Sequence, residues 1–348
     1  MVIPVKTKMS PPPSNGRLTV LLHADDFGMS DWVNAGIGRA FDEGLLTGTS
    51  LMANGPAAER ALDLWRELDR RRREDILPSR AMRRSVGDQA ARFDLGIHLN
   101  LTEGRPLSRG FPSVFTDANG CFLGIRRLFP RLLLFGRKHR DAIEAELREQ
   151  ISFLVERGIR PDHLNGHEYV ETAPVVGPIV VRLAKEYAIP YVRRAVELRP
   201  LVGLRHGRHS SADYVLAAVK QAFAKRFGRR LRAAGFATND AFVGANHAGE
   251  IRLPLLQALI PQAVVRGIRR LEIGLHPADP APAESPHAID GWHDPLATRR
   301  PEEARLLRDE ALAGLLQQTC CRLGRMHEAS KGPSTSQAAP RRTMIPAA

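Results

Sequence analysis

The sequence predicts an α/β protein with a parallel sheet, and three observations lead to this class. Short apolar runs of strand length alternate with helical patterns from residue 18 to residue 323. The first run, Leu18 to Leu22, is almost wholly apolar, which is typical of a strand buried on both faces. We find no internal repeat and no linker in the middle of the chain, so we expect a single domain. Such an alternation implies parallel βαβ units, in a doubly wound sheet or a (β/α) barrel.

The strands are predicted from short apolar runs between turn residues, and the helices from apolar positions three and four residues apart. The predicted strands are residues 18–23, 49–52, 93–99, 162–164, 189–192, 242–245 and 271–275. The predicted helices are residues 31–43, 56–70, 140–157, 172–187, 210–234, 255–265 and 301–323. Ser30 is expected to cap the first helix and Gly44 to end it, while Pro56 fits the first turn of the second helix.

Four segments stand outside this alternation. Residues 71–91 are basic and irregular, and we interpret them as a loop insertion. Residues 104–138, rich in Gly, Pro and Phe, are predicted to form a long functional loop or lid. Residues 1–17 and 326–348 are rich in Pro, Ser, Ala and basic residues, which predicts disordered tails around a domain at 18–325.

Composition limits the classes of function. The 348-residue chain has a formal net charge of +13, but only 6% of its residues are aromatic and few of these lie among the basic clusters. We therefore expect solvated basic faces and no nucleic-acid partner. There is no run of 18 apolar residues and no apolar leader segment, so neither a membrane span nor secretion is expected. Three cysteines, Cys121, Cys320 and Cys321, have no metal-type spacing and favour a reducing, cytoplasmic location.

The first predicted strand ends in two adjacent acids, Asp25 and Asp26. Neighbouring carboxylates repel each other and raise each other's pKa, so an adjacent pair at a strand end suggests a specific role. One acid would be enough to cap the helix at 31–43. A bound cation, or a need for one basic carboxylate in catalysis, would explain the second.

Other ionisable residues follow other predicted strands, and the carboxyl ends of parallel strands share one rim where sites form. These residues are His98, His163, His167, Glu168, Arg193 and His276. His23 is expected to be a packed histidine. The Asn165-Gly166 dipeptide predicts a turn, so we favour His167 as a ligand and interpret His163 as structural. His276 is either a site residue or a buried, hydrogen-bonded histidine.

Other catalytic templates fail. The tripeptide Asp26-Phe27-Gly28 occurs without the companion motifs of kinases, and there is no serine elbow, phosphate loop or Cys-x-x-Cys. One Asp and two His remain as ligands of a divalent ion such as Zn, Mn, Co or Fe(II), while Mg prefers more oxygen. The ion would acidify a water and polarise a carbonyl, the second Asp would take the proton, and the third His would protonate the leaving group.

Five segments together resemble the YdjC-like carbohydrate deacetylase family, which includes chitooligosaccharide and hopanoid-associated deacetylases. They are HADDFGMS at 23–30, TSLMANGPA at 49–57, GIHLNLTEGRPL at 96–107, DHLNGHE at 162–168 and LHP at 275–277. The resemblance implies a single-domain (β/α) barrel-like fold, related to other polysaccharide deacetylases. It also implies a hydrolase that removes an N-acetyl group from an amino sugar and releases acetate.

Carried over by position, the resemblance makes Asp26, His98 and His167 the ligands of one divalent metal ion, with Mg or Zn preferred and Mn or Co as alternatives. It makes Asp25 the catalytic base and His276 the acid or oxyanion-side group. Arg193 would contact substrate or orient Asp25. Further histidines that relatives often carry after this turn are absent from the run His167 to Glu171.

The segments at 54–57 and 162–167 are most similar to the hopanoid-associated branch. They imply an N-acetylated sugar or glycolipid substrate, with peripheral contact between the basic surface and anionic membranes, and a homodimer is plausible for the fold. Two alternatives stay open. They are a metal-dependent hydrolase of another amide or ester, and a basic binding module on an inactive barrel.

Overall fold

The computed structural model describes residues 17–88, 90–198, 211–282, 288–289 and 291–329. The predicted tails therefore lie largely outside the described residues, as does residue 210, the predicted start of the basic helix.

Among the described residues, eight strands form one parallel sheet, and two more form a short antiparallel pair. The sheet strands are β1 (Thr19–Phe27), β2 (Gly48–Leu51), β3 (Asp94–Leu99), β4 (His163–Gly166), β5 (Tyr191–Val192), β6 (Ala241–Val243), β7 (Arg270–Leu275) and β10 (Arg322–Leu323). Their order is β5-β4-β3-β2-β1-β7-β6, and β10 pairs with the start of β1. The antiparallel pair is β8 (Ala288–Ile289) and β9 (Trp292–His293).

Eleven α-helices of the described residues surround or follow the strands. They are α1 (Asp31–Asp42), α2 (Ala58–Arg73), α3 (Arg80–Ser85), α4 (Ile125–Phe135), α5 (Arg140–Val155), α6 (Val176–Glu186), α7 (Ser211–Ala233), α8 (Leu253–Val265), α9 (Arg300–Leu307), α10 (Glu310–Gln318) and α11 (Met326–Ala329). As predicted, Ser30 caps α1, accepting the Val33 N–H at 3.3 Å.

Alternation along each strand separates two layers. Val20, Leu22 and Ala24 of β1 join the large apolar core that includes the helices, whereas His23 and Asp25 face the opposite side. This opposite face is strongly concave. β1 and β4 are separated by two strands in the sheet, yet the Nε2 atoms of His23 and His163 are 2.7 Å apart.

The two edges of the sheet approach each other. One isolated parallel bridge joins Tyr191 of β5 to Ala237, which precedes β6. A second joins Glu197, which follows β5, to Phe242 of β6. The interior also depends on one small residue, since a Cβ at Gly96 would stand 2.4 Å from the His163 ring. These features make the sheet a curled, barrel-like one, as the sequence and the resemblance predicted.

The segment 71–91 differs from its prediction. α2 continues to Arg73, and α3 follows after a short turn. Arg83 is fully buried although its side chain carries a charge. The guanidinium groups of Arg72, Arg83 and Arg325 all bond to the Asp88 carboxylate, which explains how so basic a segment joins the core.

Three other boundaries also differ. The region 104–138 is not one loop, because it contains a 3-10 turn and the helix α4. The closing helix is divided into α9 and α10, and Asp309 caps the second of them through the Ala311 N–H at 2.8 Å. The tail boundary at 326 is four residues too early, since α11 is formed and Met326 is buried.

Candidate active site

The two acids of β1 face the same site because the strand bulges between them. Ala24 is opposite Thr49 and Phe27 is opposite Leu51, so β1 carries one extra residue here. Asp26 takes this position in the left-handed region, with φ of 69°, which aspartate tolerates better than most residues. Asp25 and Asp26 both line the same cavity. In a regular strand their side chains would point to opposite faces.

Asp26 meets two imidazoles. Its Oδ1 lies 3.0 Å from His167 Nδ1 and 3.3 Å from His98 Nε2, and the two ring nitrogens are 3.3 Å apart. Ligand atoms about 2.1 Å from one ion would be separated by about 3.0 to 3.4 Å. The three residues predicted as ligands therefore have the spacing that a single divalent ion requires, and they form a group that could hold one.

Asn165 fixes the tautomer of His98. Its amide nitrogen donates to Asp25 Oδ1 at 3.0 Å, so its oxygen is the atom that faces His98 Nδ1 at 2.9 Å. The Nδ1 of His98 must then carry the proton. The lone pair of Nε2 is left directed at Asp26 and His167, which is the arrangement that metal-binding histidines need.

The chain turns sharply after His167 and not at the predicted position. Asn165 and Gly166 are the end of β4, and Gly166 has extended backbone with φ of −131°. The turn follows at Glu168 and Tyr169, whose φ values are 51° and 61°. Such strained residues concentrate at functional sites, and both of these line the cavity.

Asp25 is held by Arg193. The guanidinium donates to both carboxylate oxygens, at 2.7 and 2.8 Å, and its Nε donates to Glu272 at 2.6 Å. Burial would raise the pKa of Asp25, but Arg193 and then His98 hold it well below its ordinary value. Arg193 has no exposed surface, so contact with substrate is contradicted, whereas orienting Asp25 fits.

His276 lines the same cavity as Asp25. Its backbone N–H donates to Glu303 at 2.6 Å, and its Nδ1 is 3.8 Å from the same carboxylate. Burial lowers the pKa of His276, but Glu303 and Asp26 outweigh burial and raise it above the ordinary value. A protonated imidazole at this position is able to donate a proton into the cavity.

His23 and His163 are packed behind the site, as predicted. Both rings are fully buried, and burial lowers the pKa of each. They are therefore neutral parts of the barrel interior.

Arg300 is a site residue that the sequence did not indicate. It begins α9, and its Nη2 donates to Asp26 Oδ2 at 2.8 Å while its Nε donates to Asp294. Burial alone would raise the pKa of Asp26, but Arg300 and His167 hold it well below its ordinary value. Asp26 and Arg300 are 274 positions apart, so no local pattern could have joined them.

The cavity at this rim has a volume of about 210 Å³ and opens to solvent. A second cavity of about 480 Å³ adjoins it, and the two share lining residues. The shared residues are Ile125, Glu168, Tyr169, Lys220 and Ala245. Apolar side chains of α4 and α7, including Phe129 and Phe223, line the second cavity.

Glu103 also lines the first cavity, where burial raises its pKa to about 7. The motif at 96–107 contained this residue, but only its neighbourhood in the fold indicates a role. No helix of the described residues is both long and apolar enough to cross a bilayer.

Comparison with known proteins gives one family. The family model described as YdjC-like protein matches residues 19–318. Carbohydrate deacetylases from Brevibacillus brevis and Geobacillus stearothermophilus are 34% and 35% identical over 50% and 52% of this chain. These alignments span 58% and 61% of the two relatives, so the chain matches about three fifths of their length.

A carbohydrate deacetylase from Mus musculus is 31% identical over 67% of each chain. Among solved structures, one described provisionally as a cellobiose-phosphate cleavage protein, from Enterococcus faecalis, superposes with a TM-score of 0.62. It covers 90% of this chain and 99% of its own at 18% identity, which supports the fold.

Proposed function

The chain belongs to the YdjC-like protein family, and we propose that it is a metal-dependent hydrolase that removes an N-acetyl group from an amino sugar and releases acetate. The observation that carries the proposal is the convergence of ligand atoms of Asp26, His98 and His167 within 3.3 Å of one another in the lining of a cavity. The carbohydrate deacetylases among the relatives support the same reaction.

The three ligand residues would hold the ion through Asp26 Oδ1, His98 Nε2 and His167 Nδ1. When bound, a divalent ion there supplies an electrophile for the amide carbonyl and makes water a better nucleophile. Two imidazoles and one carboxylate favour Zn, with Mn, Co or Mg as alternatives.

Asp25 serves as the base in this proposal. Arg193 and Asn165 fix its carboxylate, and its low pKa keeps it ionised at neutral pH, so it is ready to accept the proton of the attacking water. His276, whose raised pKa favours the protonated form, donates a proton to the departing amine. The environments of the two groups thus make Asp25 the base and His276 the acid.

We extend the proposal to a substrate whose sugar carries an apolar group. The first cavity is small, whereas the adjoining one is larger and lined by apolar side chains. An acetamido sugar in the first would place its aglycone in the second. The two helices that border the second cavity also expose apolar residues to solvent: Leu133, Leu134 and Phe135 of α4, and Leu216 and Val219 of α7.

The same two helices also carry exposed basic side chains. Arg126 and Arg127 lie on α4, and Lys225 and Arg226 lie on α7. Helices that expose both apolar and basic side chains suit the surface of an anionic membrane, which supports a glycolipid substrate and peripheral membrane contact. The homodimer and the cytoplasmic location remain predictions from the sequence.

The test is acetate release from matched glycosides of N-acetylglucosamine, one with a methyl and one with an octyl aglycone. We expect turnover of both, its loss with a chelator and its return with Zn²⁺. Because each buried methylene contributes about 0.8 kcal/mol, the octyl glycoside is expected to have at least about a tenfold lower KM.

The outcomes separate the parts of the proposal. Release of acetate with equal KM values would retain the deacetylase and reject the apolar aglycone. An absence of acetate release from both glycosides, with metal restored and the protein folded, would contradict the deacetylase itself. Metal-dependent cleavage of unrelated esters or amides alone would then favour the alternative hydrolase.

A further inference from the structure

Helix α9 approaches the candidate metal centre with a buried positive charge. Arg300, at its first residue, is 1% exposed and lines the first cavity. Its Nη2 donates to Asp26 Oδ2 at 2.8 Å and lies 3.5 Å from Met29 Sδ, and its Nε donates to Asp294. The guanidinium therefore binds one oxygen of a carboxylate whose other oxygen faces His98 and His167.

We propose that Arg300 is a positioning residue that limits Asp26 to a single ligand oxygen. With Oδ2 engaged by the guanidinium, only Oδ1 is available to an ion between the two imidazoles. This inference rests on the proposed metal site, which it deepens. An ion held there by three protein atoms would keep a position for water and substrate, as catalytic metal sites require and structural ones do not.

The charge of Arg300 has a second effect. The guanidinium beside Asp26 withdraws electron density from the carboxylate and would repel a bound ion, so metal affinity would decrease and a bound ion would be a stronger electrophile. The arrangement thus favours reactivity over tight binding.

A merely structural salt bridge would use its donors fully. Arg300 Nη1 is buried and has no hydrogen-bond partner in the described structure. An unpartnered buried donor is unfavourable for stability. The unpartnered Nη1 is explained if the guanidinium is oriented to bind Asp26, with Asp294 accepting from its Nε.

The next turn of the same helix supports the inference. Glu303, three residues on and so on the same side of α9, accepts the backbone N–H groups of His276 and Ile251. One short helix therefore contacts both the ligand Asp26 and the proposed acid His276.

The test compares the unmodified protein, Arg300→Gln and the control Arg299→Gln, each titrated with Co²⁺ as a spectroscopic probe. Arg299 is the neighbouring arginine, half exposed and paired with Glu250 away from the cavity. In Arg300→Gln, both oxygens of Asp26 become available and a repelling charge is lost. We expect Co²⁺ to bind about tenfold more tightly, with a weaker visible absorption per ion because the coordination number rises.

Turnover in the same variant is expected to fall about 100-fold, with KM changed much less, while Arg299→Gln resembles the unmodified protein. Tighter metal binding with slower turnover is a combination that general loss of structure would not produce. An unchanged spectrum and affinity in Arg300→Gln would overturn the positioning role.

Two further results keep the inference testable. If Arg300→Gln does not fold, Asp294→Asn releases the Nε side of the guanidinium while keeping Arg300, and a smaller change in the same direction is expected. If the unmodified protein binds no Co²⁺, the proposed function itself fails, which is a different outcome from an unchanged Arg300→Gln.

Discussion

The two ends of the barrel carry similar sets of residues and put them to different uses. Asp26, His98 and His167 meet at the carboxyl ends of the strands, which we call the upper end of the barrel. Asp94, Asp162 and His327 meet at the opposite, lower end. Each set has three potential ligand atoms within 4.8 Å of one another. Residue types and spacing alone would make both of them metal sites.

The partners of the carboxylates distinguish the two ends. Asp162 accepts two bonds from Arg92 and one from the Leu95 N–H, and Asp94 accepts the Met326 N–H and the His327 ring. At the upper end, one oxygen of Asp26 faces two imidazole nitrogens at an open cavity. The lower carboxylates are bonded to backbone N–H groups and an arginine and hold the chain together, whereas Asp26 Oδ1 faces only imidazole nitrogens, the groups that share an ion with a carboxylate.

Removal of the carboxylate ligand is expected to lower activity the most. Asp26→Ala removes a ligand, so we expect the bound metal to be lost and turnover to fall by a factor on the order of 10⁴. Asp94→Ala, its counterpart at the lower end, is expected to retain about one ion per folded chain. Metal content by emission spectroscopy, together with acetate release, measures both. Loss of the ion from Asp94→Ala alone would invert the assignment of the two ends.

The second effect separates the roles of the two adjacent acids. Asp25→Asn keeps the size of the side chain but removes the base, so turnover is expected to fall on the order of 10³-fold while the ion stays bound. The same metal analysis is the measurement. If the ion is lost with the activity, Asp25 is a ligand and the division of roles is wrong.

A third prediction concerns the lower end. Asp88→Asn leaves the buried guanidinium groups of Arg72, Arg83 and Arg325 without their shared anion. We expect the free energy of unfolding to fall by about 3 kcal/mol, measured in urea, because breaking a buried ion pair leaves uncompensated charge. Turnover per folded molecule should stay at the level of the unmodified protein. A fall in turnover without a fall in stability would connect this cluster to the active site.

The smallest expected change is in the pH dependence of the free energy of unfolding. The pKa of Asp88 is lowered to about 2 from an ordinary 3.8, because Arg325, Arg83 and Arg72 outweigh its burial. A depressed pKa contributes stability that is present above pH 4 and is lost as the pH falls through 2. The contribution is about 2 kcal/mol. The difference in unfolding free energy between the unmodified protein and Asp88→Asn should therefore narrow from pH 5 to pH 2. A constant difference would show that ionisation of Asp88 is not the cause.

The sequence predicted which strands carry the site residues better than it predicted the hydrogen bonds between residues distant in the chain. Asp25, Asp26, His98 and His167 were found because each follows an apolar run, and parallel strands bring their carboxyl ends together. The sequence around such residues is enough to identify them as site candidates. The roles assigned to them stay predictions until the variants are measured.

The supporting residues could not be found in the same way. The Asn165-Gly166 pair predicts a turn, but pairing with β3 keeps Asn165 extended. Arg300 and Glu303 lie in a polar stretch that resembles a solvated helix face. Only the packing of α9 against the site shows that both are buried. Arg83 was missed for the same reason, because its charge suggested a loop.

The bulge in β1 is a requirement for transferring this pair of acids to another protein. The two carboxylates are adjacent in sequence and share a site only because Asp26 adopts a left-handed backbone. An Asp-Asp pair grafted onto a regular strand would send one acid into the helix layer. A transplant must therefore import the kink and its register with β2, and the backbone is as much a part of the site as its side chains.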